Sequence, residues 1–129
     1  FVHIFSGMAT KSVWWKLGAL SGAVGVALGA FGAHALEASV SAKMLKVWET
    51  SNRYHLFHSL AMLAVPFTIQ AKKDVTSSSK AGWLFAAGIV LFSGSLYAMV
   101  LTNQRKLGAI TPIGGLCLIG GWVSLAMGV

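Results

Sequence analysis

The sequence predicts an all-α fold, namely an integral membrane antiparallel four-helix bundle. Every formal charge lies outside four uncharged stretches, including all ten Lys and Arg and all three acids. The uncharged stretches are residues 17–36, 54–71, 81–104 and 107–129. Because a bilayer core about 30 Å thick needs roughly 20 apolar residues of helix to cross it, each stretch predicts one span. We therefore treat residues 1–129 as a single four-span membrane domain.

Composition indicates that lipid, not water, is the solvent for most side chains. The 129 residues are 56% hydrophobic and only 10% charged, whereas a soluble domain carries about 25% charged residues. A single core in a chain of this size could not hide so much apolar surface from water. The net charge of +7 is scattered over the connecting segments. Basic residues beside membrane helices meet anionic head groups, and no aromatic platform is interleaved with them, so we expect a lipid bilayer as partner and no nucleic acid.

The first span begins after Trp14 and Trp15, whose rings favour the membrane interface. Its glycines recur at intervals of three and four residues, which places them along one helix face. Such a stripe lets another helix approach closely, so we predict a helix-packing seam. The predicted packing glycines are Gly18, Gly22, Gly25, Gly29 and Gly32 in the first span, Gly94 in the third, and Gly114 and Gly115 in the fourth.

The 17-residue connection between the first two spans predicts a short amphipathic helix. This helix lies at the membrane surface or leads straight into the second span. Ser39 or Ser41 can cap its start, and Glu49 and Arg53 have the i,i+4 spacing of a helical ion pair. Its apolar face holds Val40, Met44, Val47 and Trp48, and its other faces hold Lys43, Lys46, Glu49 and Arg53.

Three further signals concern the ends of the later spans. Pro66 predicts a kink or an early end in the second span, and the polar run 71–80 predicts a loop. Thr111 and Pro112 predict the start of the fourth helix, with Thr as the cap and Pro in the first turn. The positive-inside rule gives no orientation, because the two sides of the bundle carry five Lys and Arg each.

Three histidines are candidates for chemistry, because the four-span topology brings them to one side of the membrane. His34 ends the first span, and His55 and His58 begin the second on one helix face. Imidazole is a ligand for several transition metals and for haem iron, so one hypothesis is a metal, haem or quinone site. The other is that these rings bond loop backbone or neighbouring helices. Tyr97 is expected to bond a backbone carbonyl or one of these histidines.

The sequence contains no pattern that predicts an enzyme. It has no Ser-His-Asp order, phosphate loop or paired-Cys spacing, and no acid lies inside a span, where coupled transporters usually hold one. Cys117 is the single cysteine, so we expect it to be a small apolar filler rather than part of a disulfide or metal site. Apart from the histidine hypothesis, we expect no catalytic residue, no metal and no cofactor.

Four motifs in order resemble the transmembrane protein 256-like family, also called domain of unknown function 423. They are GAFGAHAL at 29–36, YHLFH at 54–58, FSGSLY at 92–97 and TPIGG at 111–115. The resemblance covers all four spans. It implies a multi-pass protein of bacterial inner membranes or of mitochondria, with no established activity or cofactor. The matching positions, to which the family assigns no role, are Gly29, Gly32, His34, Tyr54, His55, His58, Gly94, Tyr97, Thr111, Pro112 and Gly114.

These observations together predict a non-catalytic integral membrane protein. We expect a small accessory or assembly subunit that packs on a larger membrane complex, or that associates with itself. Residues 1–16 are basic and acid-free, which favours the mitochondrial inner membrane over a bacterial inner membrane. The alternatives are a histidine-based metal, haem or quinone-binding protein and a homo-oligomeric channel or carrier. An absorption spectrum with metal analysis tests the first alternative, and liposome flux tests the second.

Overall fold

The computed structural model describes residues 2–72 and 75–128, with side-chain detail for residues 8–10, 13–70 and 79–128. Within these ranges the regular elements are all helical, which confirms the predicted all-α class. A π-helical turn at Gly32–Leu36 extends α1, another at Ile89–Gly94 joins α3 to α4 in one rod, and a 3-10 turn at Arg105–Ala109 precedes α5. The α-helices are α1 Val2–Phe31, α2 Ala42–Lys72, α3 Val75–Gly88, α4 Ser95–Thr102 and α5 Thr111–Met127.

Helix α2 is the centre of the bundle. It packs along α1 on one side and against α3 and α4 on the other, while α5 packs mainly on α3 and the π turn that follows it. Within the part of the chain that the structure describes, three helical segments are long and apolar enough to cross a membrane, namely Met8–Leu36, Ser79–Thr102 and Arg105–Met127. Helix α2 is not among them, although the sequence predicts a span at residues 54–71.

The glycine stripe of α1 faces α2. A methyl group added at Gly29 would meet the side chain of Asn52, and one added at Gly32 would meet the ring of Trp48. At Gly22 there is more room, since the nearest atom to an added Cβ is 3.9 Å away. The seam between α1 and α2 is therefore closed by side chains of the same chain, so this face of α1 is not free for another protein.

A second close approach joins α5 to the π turn at Ile89–Gly94. A Cβ added at Gly114 would meet backbone atoms of Leu91 and Phe92. The other two glycines to which we assigned a packing role have ordinary or loose surroundings, since an added Cβ would lie 3.8 Å from the Phe92 ring at Gly115 and 3.9 Å from a carbonyl oxygen at Gly94. Among the described glycines, Gly114 is thus the one at which an added Cβ would come closest to the backbone of another helix.

The predicted amphipathic segment and the second apolar stretch form one continuous helix, α2. Ser41 caps its start, because its Oγ accepts a hydrogen bond from the Met44 N–H at 3.3 Å. Ser39 instead donates to the carbonyls of Ala35 and Leu36 at the end of α1. Met44 and Trp48 are buried, while the charged residues of the segment are exposed. The segment thus leads straight into the second apolar stretch, which was one of the two predicted forms.

Two local predictions are wrong. Helix α2 runs through Pro66 to Lys72 and α3 begins at Val75, so most of the predicted loop 71–80 is helical, and residues 73–74 lie outside the described residues. The run of Ser and Thr suggested a loop, but both residue types are favourable at a helix start.

Helix α5 begins at Thr111 with Pro112 in its first turn, as predicted, but Thr111 is not a cap. Its hydroxyl bonds Ser95 instead, at 2.9 Å.

Candidate functional site

A buried polar network joins α1, α2 and α4. His55, which is 5% exposed, is its centre. Its Nε2 lies 3.0 Å from the Ser21 hydroxyl of α1, and its Nδ1 lies 3.2 Å from the Tyr97 hydroxyl of α4. The Asn52 amide donates to the Tyr97 oxygen at 3.1 Å and to the Gly25 carbonyl at 2.7 Å. Three helices are therefore tied together by side chains of α2.

The chemistry of the partners fixes the direction of these hydrogen bonds. Ser59 donates to the carbonyl oxygen of His55 at 2.8 Å, because a carbonyl can only accept. Ser21 therefore donates to Ser59 at 2.7 Å and accepts from the Nε2–H of His55. Nδ1 of the same ring is left as an acceptor for the Tyr97 hydroxyl. The imidazole is thereby assigned as a neutral ring with both nitrogens in use.

His58 lies in a separate arrangement that faces α5. Its Nδ1–H donates to the Tyr54 carbonyl at 2.6 Å, and its Nε2 accepts from the indole N–H of Trp122 at 3.1 Å. The ring is 6% exposed and packs between Phe85 and Trp122, with centroid distances of 5.8 and 6.0 Å. Both nitrogens of this histidine are also engaged within the chain.

At or near both π turns a side chain of α2 donates to a backbone carbonyl of the neighbouring helix. Trp48 donates to the Leu28 carbonyl at 2.9 Å, four residues before Gly32, where the turn that extends α1 begins. Ser51 donates to the Ser93 carbonyl at 2.7 Å, and the Ser93 hydroxyl donates back to the Ser51 carbonyl at 2.9 Å. In an apolar surrounding these bonds satisfy groups that water cannot reach. The irregular turns are thus positioned by α2.

The structure does not bring the three candidate histidines together. His34 lies exposed on the π turn that extends α1, whereas His55 and His58 are buried on α2. The described residues contain no group of three or more His, Cys, Asp and Glu side chains arranged to hold a metal ion. A metal needs a free ring lone pair, and those of His55 and His58 already accept hydrogen bonds. The predicted bond between Tyr97 and a histidine is confirmed.

Sequence reasoning missed three members of the network: Ser21, Asn52 and Ser59. The signal was available for two of them. Asn52, His55 and Ser59 follow an i, i+3, i+7 spacing and therefore lie on one face of α2. A polar face on an otherwise apolar helix indicates contact with other helices rather than with lipid. Ser21 gave no comparable signal, because a single serine beside a glycine stripe is common in membrane helices.

An apolar groove lies between α2 and α5. Its volume is about 580 Å³. Aromatic rings of Tyr54, Phe57, Phe92 and Trp122 line it, together with His58. A smaller cavity of about 200 Å³ lies between α1 and α2. The groove is lined by no carboxylate, whereas Glu37 and Glu49 line the smaller cavity.

Comparison with known proteins identifies relatives over nearly the whole chain. A family model described as "Protein of unknown function (DUF423)" matches residues 28–115. The UPF0382 membrane protein YwdK of Bacillus subtilis is 46% identical over 111 residues, which cover 86% of this chain and 90% of the relative. A UPF0382 membrane protein of Haemophilus influenzae is 43% identical over 118 residues, which cover 92% and 94%. The Staphylococcus saprophyticus protein SSP2132 is 48% identical over 112 residues, covering 87% and 92%. No solved structure matches.

Proposed function

The chain belongs to the DUF423 family of UPF0382 membrane proteins, and within that family we propose that it is a four-span, non-catalytic subunit that packs on other membrane proteins. The resemblance based on four sequence motifs is confirmed by these relatives, and the chain is a multi-pass membrane protein. The single observation that supports the proposal most is that the polar side chains His55, His58, Ser59 and Thr68 of α2 are buried, while large apolar side chains of the same stretch are exposed.

The pattern of buried and exposed side chains in α2 is the one expected of a helix that crosses lipid within a bundle. From Tyr54 to Ile69 the exposed side chains are Tyr54, Phe57, Leu60 and Phe67. The polar side chains His55, His58, Ser59 and Thr68 are between 1% and 8% exposed. Its low hydropathy therefore comes in large part from residues that are buried between helices. Residues 54–71 would extend about 27 Å as a helix, which is close to the thickness of the bilayer core.

The four-span proposal predicts which connections share a side of the membrane. In a Cys117→Ser background, single cysteines at Ser39 and Gln104 should react with a membrane-impermeant maleimide from one side of sealed vesicles. A cysteine at Lys80 should react from the other side only, because α2 separates it from Ser39. If α2 did not cross the bilayer, the cysteines at Ser39 and Lys80 would react from the same side, which would contradict the proposal.

The outer face of α1 supports the subunit proposal, because the glycine face is already closed by α2. Leu20 and Val24 are exposed by 66% and 52%. Small residues spaced by four along a membrane helix let a second helix pack closely. The interaction surface that we propose is this outer face, and its partner is a helix of another membrane protein. The exposed alanines of the face are Ala19, Ala23, Ala27 and Ala30.

Enlarging the outer face should block association and leave the fold intact. We expect Ala23→Leu to shift the protein from a larger species to the mass of the free chain on native gels of mild-detergent extracts. The substitution Ala87→Leu, at an exposed alanine of α3, is the matched control and should keep the larger species. A wild-type chain that always migrates alone would contradict the proposal. A species whose mass is a multiple of the chain's own would replace the accessory role by self-association.

The absence of catalysis is part of the proposal and is supported by the closed hydrogen bonding of the site. Ser21, Asn52, His55, Ser59 and Tyr97 use one another and the backbone as partners. A general base or nucleophile has to reach a substrate, whereas these groups are buried or half-buried between helices.

For localisation, the described relatives are bacterial membrane proteins, and we propose the mitochondrial inner membrane for this chain on the composition of its N-terminal segment. Residues 1–16 contain two lysines and no acid, which is typical of organelle-targeted sequences. Fractionation of cells that express the full chain with a C-terminal tag tests this, and a signal confined to the plasma membrane would contradict it.

A further inference from the structure

The groove between α2 and α5 has the shape of a site for one extended apolar chain. Helices α2 and α5 have few contacts with each other, and the space between them is about 580 Å³. That volume lies within the range of about 300–1,000 Å³ found for small-molecule sites. The α5 wall runs from Gly115 to Trp122, which is about 10 Å along a helix axis. Phe57 and Ile119, both about 61% exposed, line its open side.

The groove has a cation at one end only. Arg53 lines it beside Tyr54, at the start of the predicted span, whereas the opposite end is formed by Trp122. The predicted ion pair with Glu49 is not formed, and among the residues that the structure describes Arg53 has no acidic partner. A guanidinium that is exposed and unpaired at the edge of lipid is suited to a phosphate group.

The deeper part of the groove offers no polar group to a ligand. His58 is the one titratable side chain that lines it below the mouth. Both of its nitrogens are engaged, by the Tyr54 carbonyl and the Trp122 indole. A quinone ring would need a free donor for its carbonyl oxygens. An acyl chain needs none, and its dispersion contacts with aromatic rings are favourable.

We propose that this groove binds an anionic phospholipid, with the phosphate at Arg53 and one acyl chain along Phe57, Phe92 and Trp122. The site rests on the placement of α2 in the bilayer proposed above, but not on the subunit role. Positive charge at the interface and an apolar, ring-lined channel leading toward the bilayer centre match the two halves of such a lipid.

Native mass spectrometry of the full chain released from nanodiscs tests the proposal. The nanodiscs contain equal amounts of phosphatidylglycerol and phosphatidylcholine. We expect wild type to retain phosphatidylglycerol preferentially and Arg53→Gln to retain about tenfold less of it, because a charge-assisted bond to phosphate is lost. Arg105→Gln removes the same charge from the exposed 3-10 turn, and this control should retain the lipid as wild type does.

A second variant tests the apolar part of the groove without changing the charge of Arg53. Gly115 lines the groove, and an added Cβ there meets the Phe92 ring only at 3.8 Å. Gly115→Leu should therefore fill the channel and lower lipid retention with Arg53 intact, while circular dichroism checks that the helices are kept. Equal losses in Arg53→Gln and Arg105→Gln, equal retention of both lipids, or extraction of a neutral quinone instead would each overturn the proposal. A chain that migrates alone on native gels would not affect this result.

Discussion

Replacing Gly114 with alanine is expected to destabilise the protein by about 3 kcal/mol or more, which is the upper range for overpacking a close contact. The added methyl group would meet backbone atoms of Leu91 and Phe92 in the π turn. A side chain can rotate away from such a contact, but a backbone cannot. The only relief is to move α5 away from the rod formed by α3 and α4, which would separate many packed atoms.

The neighbouring residue supplies the matched control. Gly115→Ala has the same helix propensity change on the same helix, and its Cβ would lie 3.8 Å from the Phe92 ring, an ordinary contact. We expect it to be neutral or slightly stabilising, since alanine favours a helix over glycine by about 1 kcal/mol. Unfolding by titration with a denaturing detergent, followed by circular dichroism, measures both. Equal losses in the two variants would show that helix formation, not backbone contact, limits stability.

This pair also illustrates what sequence can predict about the fold. The spacing of the α1 glycines predicts a seam, but it does not identify the helix that fills it. Gly114 and Gly115 are indistinguishable in the sequence, and only one touches backbone. The proposed span at residues 54–71 is indicated by the absence of charge. Its hydropathy falls below that of the other three segments, because it contains polar residues such as His55, His58 and Ser59, which are buried among the helices.

The sequence predicted at which end of the bundle the residues of the candidate site lie, but not which neighbouring helix each of them faces. The predicted topology correctly brings Tyr97 to one histidine of α2, His55, since the two residues approach the same end of the bundle from neighbouring rods. It also suggested that His34 would join them. The π turn at Gly32–Leu36 carries His34 exposed on its surface instead. The order of the helices determines the end of the bundle at which a residue lies. The side of the helix on which it lies depends instead on helix packing and on irregular turns that the sequence did not reveal.

Removing the Trp48 side chain is the second change that we expect to lower the stability of the protein strongly. Trp48 is 2% exposed and lies over Gly32. Its ring packs on Tyr97 with a centroid distance of 4.5 Å, and its N–H donates to the Leu28 carbonyl. Truncation of a buried Trp to Ala costs about 3–5 kcal/mol, so Trp48→Ala should unfold at much lower denaturing-detergent content. Trp48→Phe keeps an aromatic ring, so its stability should lie between that of wild type and that of Trp48→Ala.

Trp15→Ala is the matched control, because Trp15 is 51% exposed on α1 and loses little packing. We expect it to change stability by about 0.5 kcal/mol or less. The comparison also tests how the start of α2 is held. Trp48 precedes the predicted span at residue 54, so a large loss means that the amphipathic part of α2 folds against α1 and α4. If Trp48→Ala and Trp15→Ala were equally mild, that segment would instead lie on the lipid surface, and the contact with Tyr97 would not contribute to the fold.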